Sequence, residues 1–499
     1  MFLNQLNITV QMLSQSNGGL DALEARLKQD LAWLELPAKS WMIKKSFDGQ
    51  PVIDVAIIGA GMAGLTVGTA LTHLGISPVL FDRAPPGQEG PWVTTARMET
   101  LRSPKQLTGP ALGLPALTFR AWYEAQFGQK AWNELDKIPR IQWMDYLRWY
   151  RKVTNLNIQN EHHVLQVNPR SDRLVELVVK GAQGIEHLLA RRLILASGRD
   201  GLGGPTLPAF AEKIPSRLRA HSSDEFDYRT LARKRVGVIG AGASAMDSAA
   251  TALECGAYSV DLLIRRPDIP RVNKAKGAGN VGLTYGHFDL PDEWKWRIRH
   301  YINEQQVPPP RGSTLRVSRH PNAHFNVGCP IQEVQVTDQD TLRLMTPKGE
   351  FELDFLIFAT GFKIDWTARP EYAVLAEHLR KWGDRFTPEL GQEDRELHDS
   401  PDLGPAFELQ EKEPGACPGL DRVHVFCYPA ALSHGTVSGD IPAISEGAKR
   451  LSQGLASLFY REDVEGHFEN LRNFAEPEIL GDEWSPAPPT SALTQTKAN

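Results

Sequence analysis

Cysteine is scarce in this chain. Four cysteines occur in 499 residues, at positions 255, 329, 417 and 427, and no two form a C-x-x-C pair. So few and widely spaced thiols exclude a disulfide-stapled fold and a C-x-x-C redox centre, and they favour a reduced, cytoplasmic protein. The sequence also lacks an H-E-x-x-H segment and a G-x-S-x-G segment, so we expect neither a protease-type metal site nor a nucleophile elbow.

An excess of either charge is also absent. Lys and Arg total 55 against 60 Asp and Glu, which gives a formal charge of −5 and excludes the basic surplus of a nucleic-acid-binding protein. The first residues, MFLNQLNITVQMLSQSNGG, lack the cationic start and apolar run of a signal peptide. Glycines interrupt the longest apolar stretch, residues 52–80, which therefore predicts a strand, a turn and a helix instead of a membrane span.

A glycine-rich turn lies inside that stretch. Gly59, Gly61 and Gly64 follow the apolar strand DVAIIG and open a helix. In such a turn the first glycine permits the tight bend, the second admits a pyrophosphate, and the third allows the helix to pack on the strand. Asp82 ends the next strand, where a carboxylate accepts hydrogen bonds from a ribose. The alternative is a turn that serves packing alone; the strand, helix and acid in register favour a dinucleotide site.

A second unit of the same kind spans residues 234–266. Gly240 and Gly242 form its turn, and we assign Ser244 to the place of the third glycine. Its second strand ends at Arg265 and Arg266, and guanidinium groups there suit the 2′-phosphate of NADP. The alternative is that one or both arginines are solvated surface charges. Two such units predict an α/β fold with two Rossmann-like domains, as a flavin reduced by a nicotinamide requires.

The arrangement resembles the class B flavin-dependent monooxygenases, which comprise flavin-containing, Baeyer–Villiger and N-hydroxylating enzymes. Residues 90–92 (GPW), 195–198 (LASG) and 357–362 (IFATGF) are similar to segments of that family. The stretches 138–149, 221–223 and 434–440 look most like the N-hydroxylating branch. The Baeyer–Villiger fingerprint is not intact before His221, and Gln142-Trp143 replaces the glutamate–aromatic pair of the N-hydroxylating segment.

The resemblance implies FAD and NADPH as cofactors, and dioxygen and a small molecule as substrates. In the implied reaction NADPH reduces the flavin, a C4a-(hydro)peroxyflavin forms, and an amine, sulfide or ketone is oxygenated. The alternative is an FAD-dependent NAD(P)H oxidoreductase that passes electrons to a quinone or another acceptor. A regulatory protein that keeps the nucleotide folds as a sensor is disfavoured, because it would gain nothing from two intact turns.

The resemblance also implies roles for individual residues. Near FAD it places Trp92, Arg97 and Asp440, the last at a helix start beside the flavin N1–C2=O region. Arg97 and Arg102 could reach the FAD pyrophosphate or flank the flavin face, and the alternative for both is a surface salt bridge. The alternative for Asp440 is an ordinary helix cap. Thr360 and Gly361 would lie at the NADP-domain junction. The candidates for catalysis are His221, Asn273 and Lys274.

The predicted domain order follows from the same pattern. An N-terminal helical extension could serve in a homo-oligomer, and the NADP-binding domain is inserted into the FAD-binding domain. The predicted ranges are 1–50 for the extension, 51–205 for the first FAD part, 206–350 for the NADP domain, 351–484 for the second FAD part with a lid-like excursion over 365–420, and 485–499 for a disordered tail.

Overall fold

The structure is a computed structural model, and it describes residues 18–199 and 201–487. Most of the segment considered as a signal peptide and most of the expected tail, from residue 488 onward, lie outside the described residues. No helix within the described ranges is long and apolar enough to cross a membrane.

The elements alternate between strands and helices, as the two glycine-turn units predict. The strands are β1 Ser46–Phe47, β2 Gln50–Pro51, β3 Ile53–Ile58, β4 Pro78–Phe81, β5 Asn157–Gln159, β6 His163–Pro169, β7 Val175–Gly181, β8 Gly184–Leu195, β9 Gly203–Pro205, β10 Arg219–His221, β11 Arg235–Ile239, β12 Ser259–Ile264, β13 Ala323–Val327, β14 Glu333–Val336, β15 Leu342–Thr346, β16 Gly349–Leu353, β17 Phe355–Phe358, β18 Phe362–Ile364 and β19 Val423–Val425. The α-helices are α1 Gly19–Trp33, α2 Met62–His73, α3 Phe119–Glu134, α4 Arg140–Thr154, α5 Ala243–Glu254, α6 Lys274–Ala278, α7 Val281–Gly286, α8 Asp292–Gln305, α9 Arg311–Ser318, α10 Ala373–His378, α11 Trp382–Arg385, α12 Arg395–Asp399, α13 Ala431–His434, α14 Ile444–Glu462 and α15 Val464–Asn473.

The first sheet is built around β3, the strand that precedes the first glycine turn. Its order is β5-β4-β3-β8-β7-β6, and β19 also pairs with β8. The pairs among β5, β4, β3, β8 and β19 are parallel, whereas β6, β7 and β8 form an antiparallel meander. The helix α2 after the turn and the C-terminal helix α14 pack against each other beside this sheet. The carboxyl ends of the parallel strands therefore meet at one edge, where ligands bind in such folds.

The second sheet is wholly parallel, with the order β10-β17-β11-β12-β13. The antiparallel sheet β14-β15-β16 follows it in the chain before β17 returns to the parallel sheet. The chain enters and leaves this unit through β9 and β18, which pair with each other antiparallel. Because β17 belongs to this sheet, we place the end of the second unit after Phe358 instead of at residue 350. The fold class predicted from the sequence, two Rossmann-like units with one inserted into the other, is confirmed.

The excursion over residues 365–420 is packed, not an open lid. It contains only short helical turns and isolated bridges, yet Trp366, Tyr372, Trp382 and Phe407 are almost completely buried in it. Most of these aromatic side chains join the core that surrounds the first sheet. The polar composition of the segment concealed this, because its few large apolar residues do not recur with a helical or strand period.

A second apolar cluster covers the other side of α2. The aromatic residues of α3 and α4 dominate it, and Leu23 and Leu27 of α1 pack onto the same cluster. The N-terminal helix thus buries one face within its own chain, although Trp33 at its end remains exposed. The homo-oligomer that this helix suggested stays a prediction.

Candidate active site

The first glycine turn has the sterics of a dinucleotide cradle. Gly59 has φ 101°, and a Cβ there would lie 2.6 Å from the carbonyl oxygen of Ala196. A Cβ on Gly64 would lie 1.9 Å from the carbonyl oxygen of Gly59. Any side chain at either position would therefore push α2 away from the sheet. Gly61, by contrast, faces only the backbone of Gly90 at 3.7 Å, so it leaves room above the turn.

The helices that follow the two turns both begin without a side-chain cap. Gly61 is the N-cap of α2 and Gly242 that of α5, and neither first turn contains an acidic residue. The N–H groups at the start of a helix have no partner within the helix, and they carry a partial positive charge. Both helix starts thus suit a phosphate group.

Asp82 lies at the carboxyl end of β4, beside the first turn. Its carboxylate accepts hydrogen bonds from the backbone N–H of Ala60 at 2.7 Å and of Ala84 at 2.8 Å. These bonds fix the carboxylate next to the turn and leave each oxygen with further acceptor capacity for ribose hydroxyls. The loop beyond it is anchored by buried Glu89, which accepts hydrogen bonds from Arg151 and Asn160.

The second turn repeats this geometry. Gly240 has φ 130°, and a Cβ there would lie 2.6 Å from the carbonyl oxygen of Ala359. A Cβ on Gly242 would meet no heavy atom within 4 Å, so the surface above the turn is open. The assignment of Ser244 to the third-glycine place was wrong by one residue. The spacing of the first turn puts Ala245 there, and Ala245 is fully buried whereas Ser244 is exposed.

Arg265 and Arg266 directly follow β12, whose neighbour β11 leads into the second turn. Both side chains are exposed, and Arg266 donates a hydrogen bond to the carbonyl oxygen of Glu304 at 3.0 Å. The backbone of Gly240 donates to Leu263 on β12, which holds the turn and the two arginines at the same end of the sheet. A 2′-phosphate bound at this turn would therefore lie within the reach of cationic side chains.

Trp92 and Arg97 occupy the loop that follows the first ribose acid. The ring of Trp92 lies next to Gly90 and meets the buried Trp143 edge-on, with 6.3 Å between ring centroids. Arg97 instead turns toward the second unit, where its guanidinium lies 5.2 Å from the ring centroid of Tyr228. The structure therefore gives Arg97 an inter-unit contact, and its predicted role toward FAD stays a prediction.

The junction between the units contains three of the predicted residues. The hydroxyl of Thr360 donates to the carbonyl oxygen of Thr206, and the N–H of Thr206 donates to Gly361 at 2.8 Å. His221 is buried at the end of β10, where its ring bonds Ser223 at 2.7 Å and meets Phe362 edge-on. These contacts fix the two crossing segments to each other, which supports a structural role for His221.

Asn273 and Lys274 lie at the start of α6. The side chain of Asn273 accepts a hydrogen bond from the N–H of Lys276 at 3.0 Å and so caps that short helix. The ammonium of Lys274 lies 5.7 Å from the ring centroid of Tyr301 on α8. Both residues thus have local structural contacts, and their catalytic roles stay predictions.

Asp440 and the charged groups that act on it come from four distant parts of the chain, and we name this place the recess. The side chain of Asp440 is open to solvent, but the surrounding walls remove much of its hydration and raise the pKa of the carboxyl above its usual value. The positive charges of Arg299, Arg199 and Arg102, in that order, oppose this rise. Asp440 precedes the turn Ile441–Ala443 that leads into α14, and its side chain makes no capping bond to that turn.

The three arginines come from different elements. Arg102 follows the Trp92 loop, Arg199 follows β8, and Arg299 belongs to α8. The guanidinium of Arg199 lies 4.4 Å from the ring centroid of Tyr428, which follows β19. Sequence patterns singled out only Arg102 and Asp440 here, because the other side chains approach through the tertiary fold. We name Arg102, Arg199 and Arg299 the arginine cluster.

Comparisons with known proteins place this geometry among flavoproteins. Residues 56–276, which span both glycine turns, match the family described as pyridine nucleotide-disulphide oxidoreductases. The FAD-dependent urate hydroxylase of Xanthomonas campestris pv. campestris is 36% identical over 484 residues, covering 95% of this chain and 99% of that protein.

Solved structures share the fold at lower identity. The ornithine N-hydroxylase of Kutzneria sp. 744 superposes with a TM-score of 0.62 at 17% identity, covering 82% of this chain and 100% of that one. The L-lysine 6-monooxygenase of Pseudomonas syringae gives a TM-score of 0.61 at 17% identity, covering 81% and 99% of the two chains. At this identity the likeness concerns the fold alone.

Proposed function

Because the chain belongs to the family of flavin-dependent monooxygenases that includes the urate hydroxylase, we propose that it hydroxylates urate or a closely related oxopurine. The observation that carries the proposal is the 36% identity over 95% of the chain. A match of that extent includes residues 270–330 and 365–420, two segments in which no motif indicates the identity of the substrate. The amine, sulfide and ketone substrates that the resemblance implied give way to a purine in this proposal.

The protein is an oxidoreductase that uses FAD and NADPH, so the predicted enzyme class and cofactors are confirmed. When bound, the flavin takes a hydride from NADPH and activates dioxygen, which no side chain of this protein could do alone. The remaining chemistry belongs to the chain itself, which binds, orients and shields the reactants.

We assign the first cradle, at Gly59, Gly61 and Gly64, to FAD. The uncapped start of α2 would hold the pyrophosphate, and Asp82 would hold the ribose. The second cradle, at Gly240 and Gly242, would hold NADPH at the uncapped start of α5. Arg265 and Arg266 would then pair with the 2′-phosphate.

The recess at Asp440 is the proposed place for the purine. The charges of Arg102 and Arg199 from the first unit and of Arg299 from α8 act on Asp440, so residues of both units contribute to the recess. The paired strands β9 and β18 hold these units together. The overall reaction consumes one NADPH, one proton and one dioxygen. One oxygen atom enters the purine as a hydroxyl group, and the other leaves as water.

The experiment that tests this function follows NADPH oxidation and dioxygen uptake with and without urate. We expect urate to accelerate both, with one urate consumed for each NADPH and each dioxygen. Hydrogen peroxide in place of a hydroxylated purine would contradict the proposal. Quinone reduction without dioxygen uptake would instead favour the reductase alternative. The cytoplasmic location stays a prediction.

A further inference from the structure

The buried arginines of this protein differ in whether they have a carboxylate partner. Five arginines are buried in residues 18–199 and 201–487. Four of them have a carboxylate partner: Arg191 with Asp463 at 2.7 Å, Arg192 with Glu462, Arg316 with Glu254 at 2.7 Å and Arg422 with Glu462 at 2.8 Å. Arg299, which is only 7% exposed, has no carboxylate within 4 Å among the described residues.

Burying a guanidinium without a partner is costly. A desolvated charge is tolerated when it is paired and hydrogen-bonded, and the penalty for an isolated one amounts to several kcal/mol. The Nε atom of Arg299 has no hydrogen-bond partner in the described part of the protein. The positive charge of Arg299 lowers the pKa values of Asp440, Tyr428 and the imidazole of His287, so these groups lie around it.

Positive charge is in excess throughout this recess. The pKa of Asp440 responds to all three members of the arginine cluster. The guanidinium of Arg199 lies over the ring of Tyr428, and Arg102 donates a hydrogen bond to the carbonyl oxygen of Pro308 at 2.7 Å. The hydroxyl of Tyr428 is fixed by Glu396, to which it donates at 2.9 Å. The three arginines therefore outnumber the two carboxylates named here, Asp440 and Glu396.

We propose that Arg299, supported by Arg199 and Arg102, binds the anionic form of the substrate. This inference rests on the proposed function and adds the group that recognises the substrate's charge. Urate is a planar anion whose charge is shared by oxygen and nitrogen atoms in one plane. A guanidinium forms paired, coplanar hydrogen bonds with such an edge, and it is pre-organised for them.

The competing explanation is that Arg299 serves a cofactor phosphate. The two glycine turns lie after β3 and β11, whereas Arg299 projects from α8 beside Tyr428 and Asp440, at the ends of other elements. The uncapped helix starts already supply N–H groups for both pyrophosphates. The substrate is therefore the anion that remains for Arg299 to bind.

The test compares Arg299→Met and Arg299→Lys with Arg297→Met, which removes an exposed arginine from the same helix that pairs with Glu293. Urate binding to the FAD-loaded protein is measured by equilibrium dialysis, beside the FAD content and the KM for NADPH. We expect Arg299→Met to raise the Kd for urate ~10- to 100-fold, the loss expected for hydrogen bonds to a charged group. Arg299→Lys should lose less, because it keeps the charge but not the paired geometry.

The Arg297→Met control, the FAD content and the KM for NADPH distinguish a loss of urate binding from a loss of cofactor binding. Arg297→Met should bind urate like the wild type, and all three variants should keep wild-type FAD content and KM for NADPH. Hypoxanthine, a neutral oxopurine, should bind Arg299→Met and the wild type equally. An unchanged urate Kd in Arg299→Met, or a loss of FAD or NADPH affinity in it, would overturn the inference alone. A wild-type protein that binds no urate would overturn the proposed function together with it.

Discussion

The carboxylate of Asp82 accepts a hydrogen bond from the backbone N–H of Ala60, with 2.7 Å between nitrogen and oxygen. This bond ties the acid at the end of β4 to the glycine turn after β3. The same side chain thus shapes the cradle and, in the proposed function, would also hold the ribose. Removing this carboxylate should weaken FAD binding, both because the turn loses a hydrogen bond and because the ribose loses an acceptor.

Replacing Asp82 with alanine should therefore reduce the flavin content of the purified protein. Charge-assisted hydrogen bonds contribute ~1.5–3 kcal/mol each, so we expect the Kd for FAD to rise about tenfold or more. Flavin absorbance per protein after dialysis measures the effect. Asp172→Ala is the control, since Asp172, like Asp82, accepts a backbone N–H hydrogen bond but lies in a surface turn, where it pairs with Arg170. Equal flavin content in both variants would argue against the ribose role.

Substitutions at the two glycines of the second turn should have different effects, one on stability and the other on NADPH binding. Gly240→Ala places a Cβ 2.6 Å from the carbonyl oxygen of Ala359 at φ 130°, so we expect a loss of about 1–3 kcal/mol in the free energy of unfolding. Gly242→Ala meets no atom within 4 Å and should leave stability nearly unchanged while raising the KM for NADPH. Urea denaturation and steady-state kinetics measure the two effects. A Gly242→Ala variant with wild-type kinetics would contradict the cradle.

Arg265 and Arg266 should select NADPH over NADH. Their exposed side chains follow β12 beside the second turn, and the 2′-phosphate is the group that distinguishes the two cofactors. The double alanine variant should raise the KM for NADPH at least tenfold and leave the KM for NADH almost unchanged. Arg271→Ala, which removes an exposed arginine paired with Asp268, is the matched control. Equal changes for both cofactors would refute the assignment.

Arg316 should be important for stability because it joins the two units. It is buried, pairs with Glu254 at 2.7 Å, lies 3.6 Å from Asp247, and donates to the carbonyl oxygen of Arg97 in the first unit. Arg316→Met leaves these carboxylates without their buried partner, so we expect a loss of ~3–5 kcal/mol. Arg319→Met removes an exposed partner of the same Glu254 and should cost less than about 1 kcal/mol. Chemical denaturation measures both losses, and similar losses of unfolding free energy in the two variants would contradict this difference between Arg316 and Arg319.

Acid should destabilise the protein through its buried histidines. Burial lowers the pKa of His434 and of His424 to about 3, so both are neutral in the folded state. The unfolded chain protonates them near pH 6.5, so the free energy of unfolding falls as the pH drops from 6.5 toward 3, by ~1.4 kcal/mol per pH unit for each histidine. His434 is fully buried and stacks on Phe407 with 3.6 Å between centroids, so solvent does not reach its ring to hydrate the charged form.

The variant His434→Gln tests this linkage. Removing one of these histidines should reduce the slope of the free energy of unfolding between pH 6 and 4, whatever the loss of stability at pH 7. Exposed His163 provides the control, because His163→Gln should leave the slope unchanged. Denaturation at a series of pH values gives both slopes. An unaltered slope in His434→Gln would show that its ring is not the group that titrates.

The cradles could be predicted from the sequence because each is a local feature. Gly59, Gly64 and Asp82 act within one strand-turn-helix-strand unit, so their spacing alone specifies the geometry. The error at Ser244 was also local, since counting five residues from Gly240 leads to Ala245. The short motifs thus gave the fold class and both cofactors.

The recess could not be predicted in this way. Arg102, Arg199, Arg299 and Asp440 come from four segments that only the tertiary fold brings together. Arg299 lies in α8, and an arginine on a buried helix face has no signature in the sequence that separates it from a solvated one. The packed segment 365–420 escaped notice for a related reason, because its buried aromatics follow no regular period.

The claim on which everything else depends is that one chain brings a bound flavin and NADPH together. Mixing the purified, FAD-loaded protein with NADPH in the absence of dioxygen tests it most directly, with flavin absorbance as the readout. We predict complete loss of the oxidised flavin absorbance with one NADPH per protein, and much slower loss in the Gly242→Ala variant. A flavin that stays oxidised, or a protein that takes up no FAD at all, would contradict it.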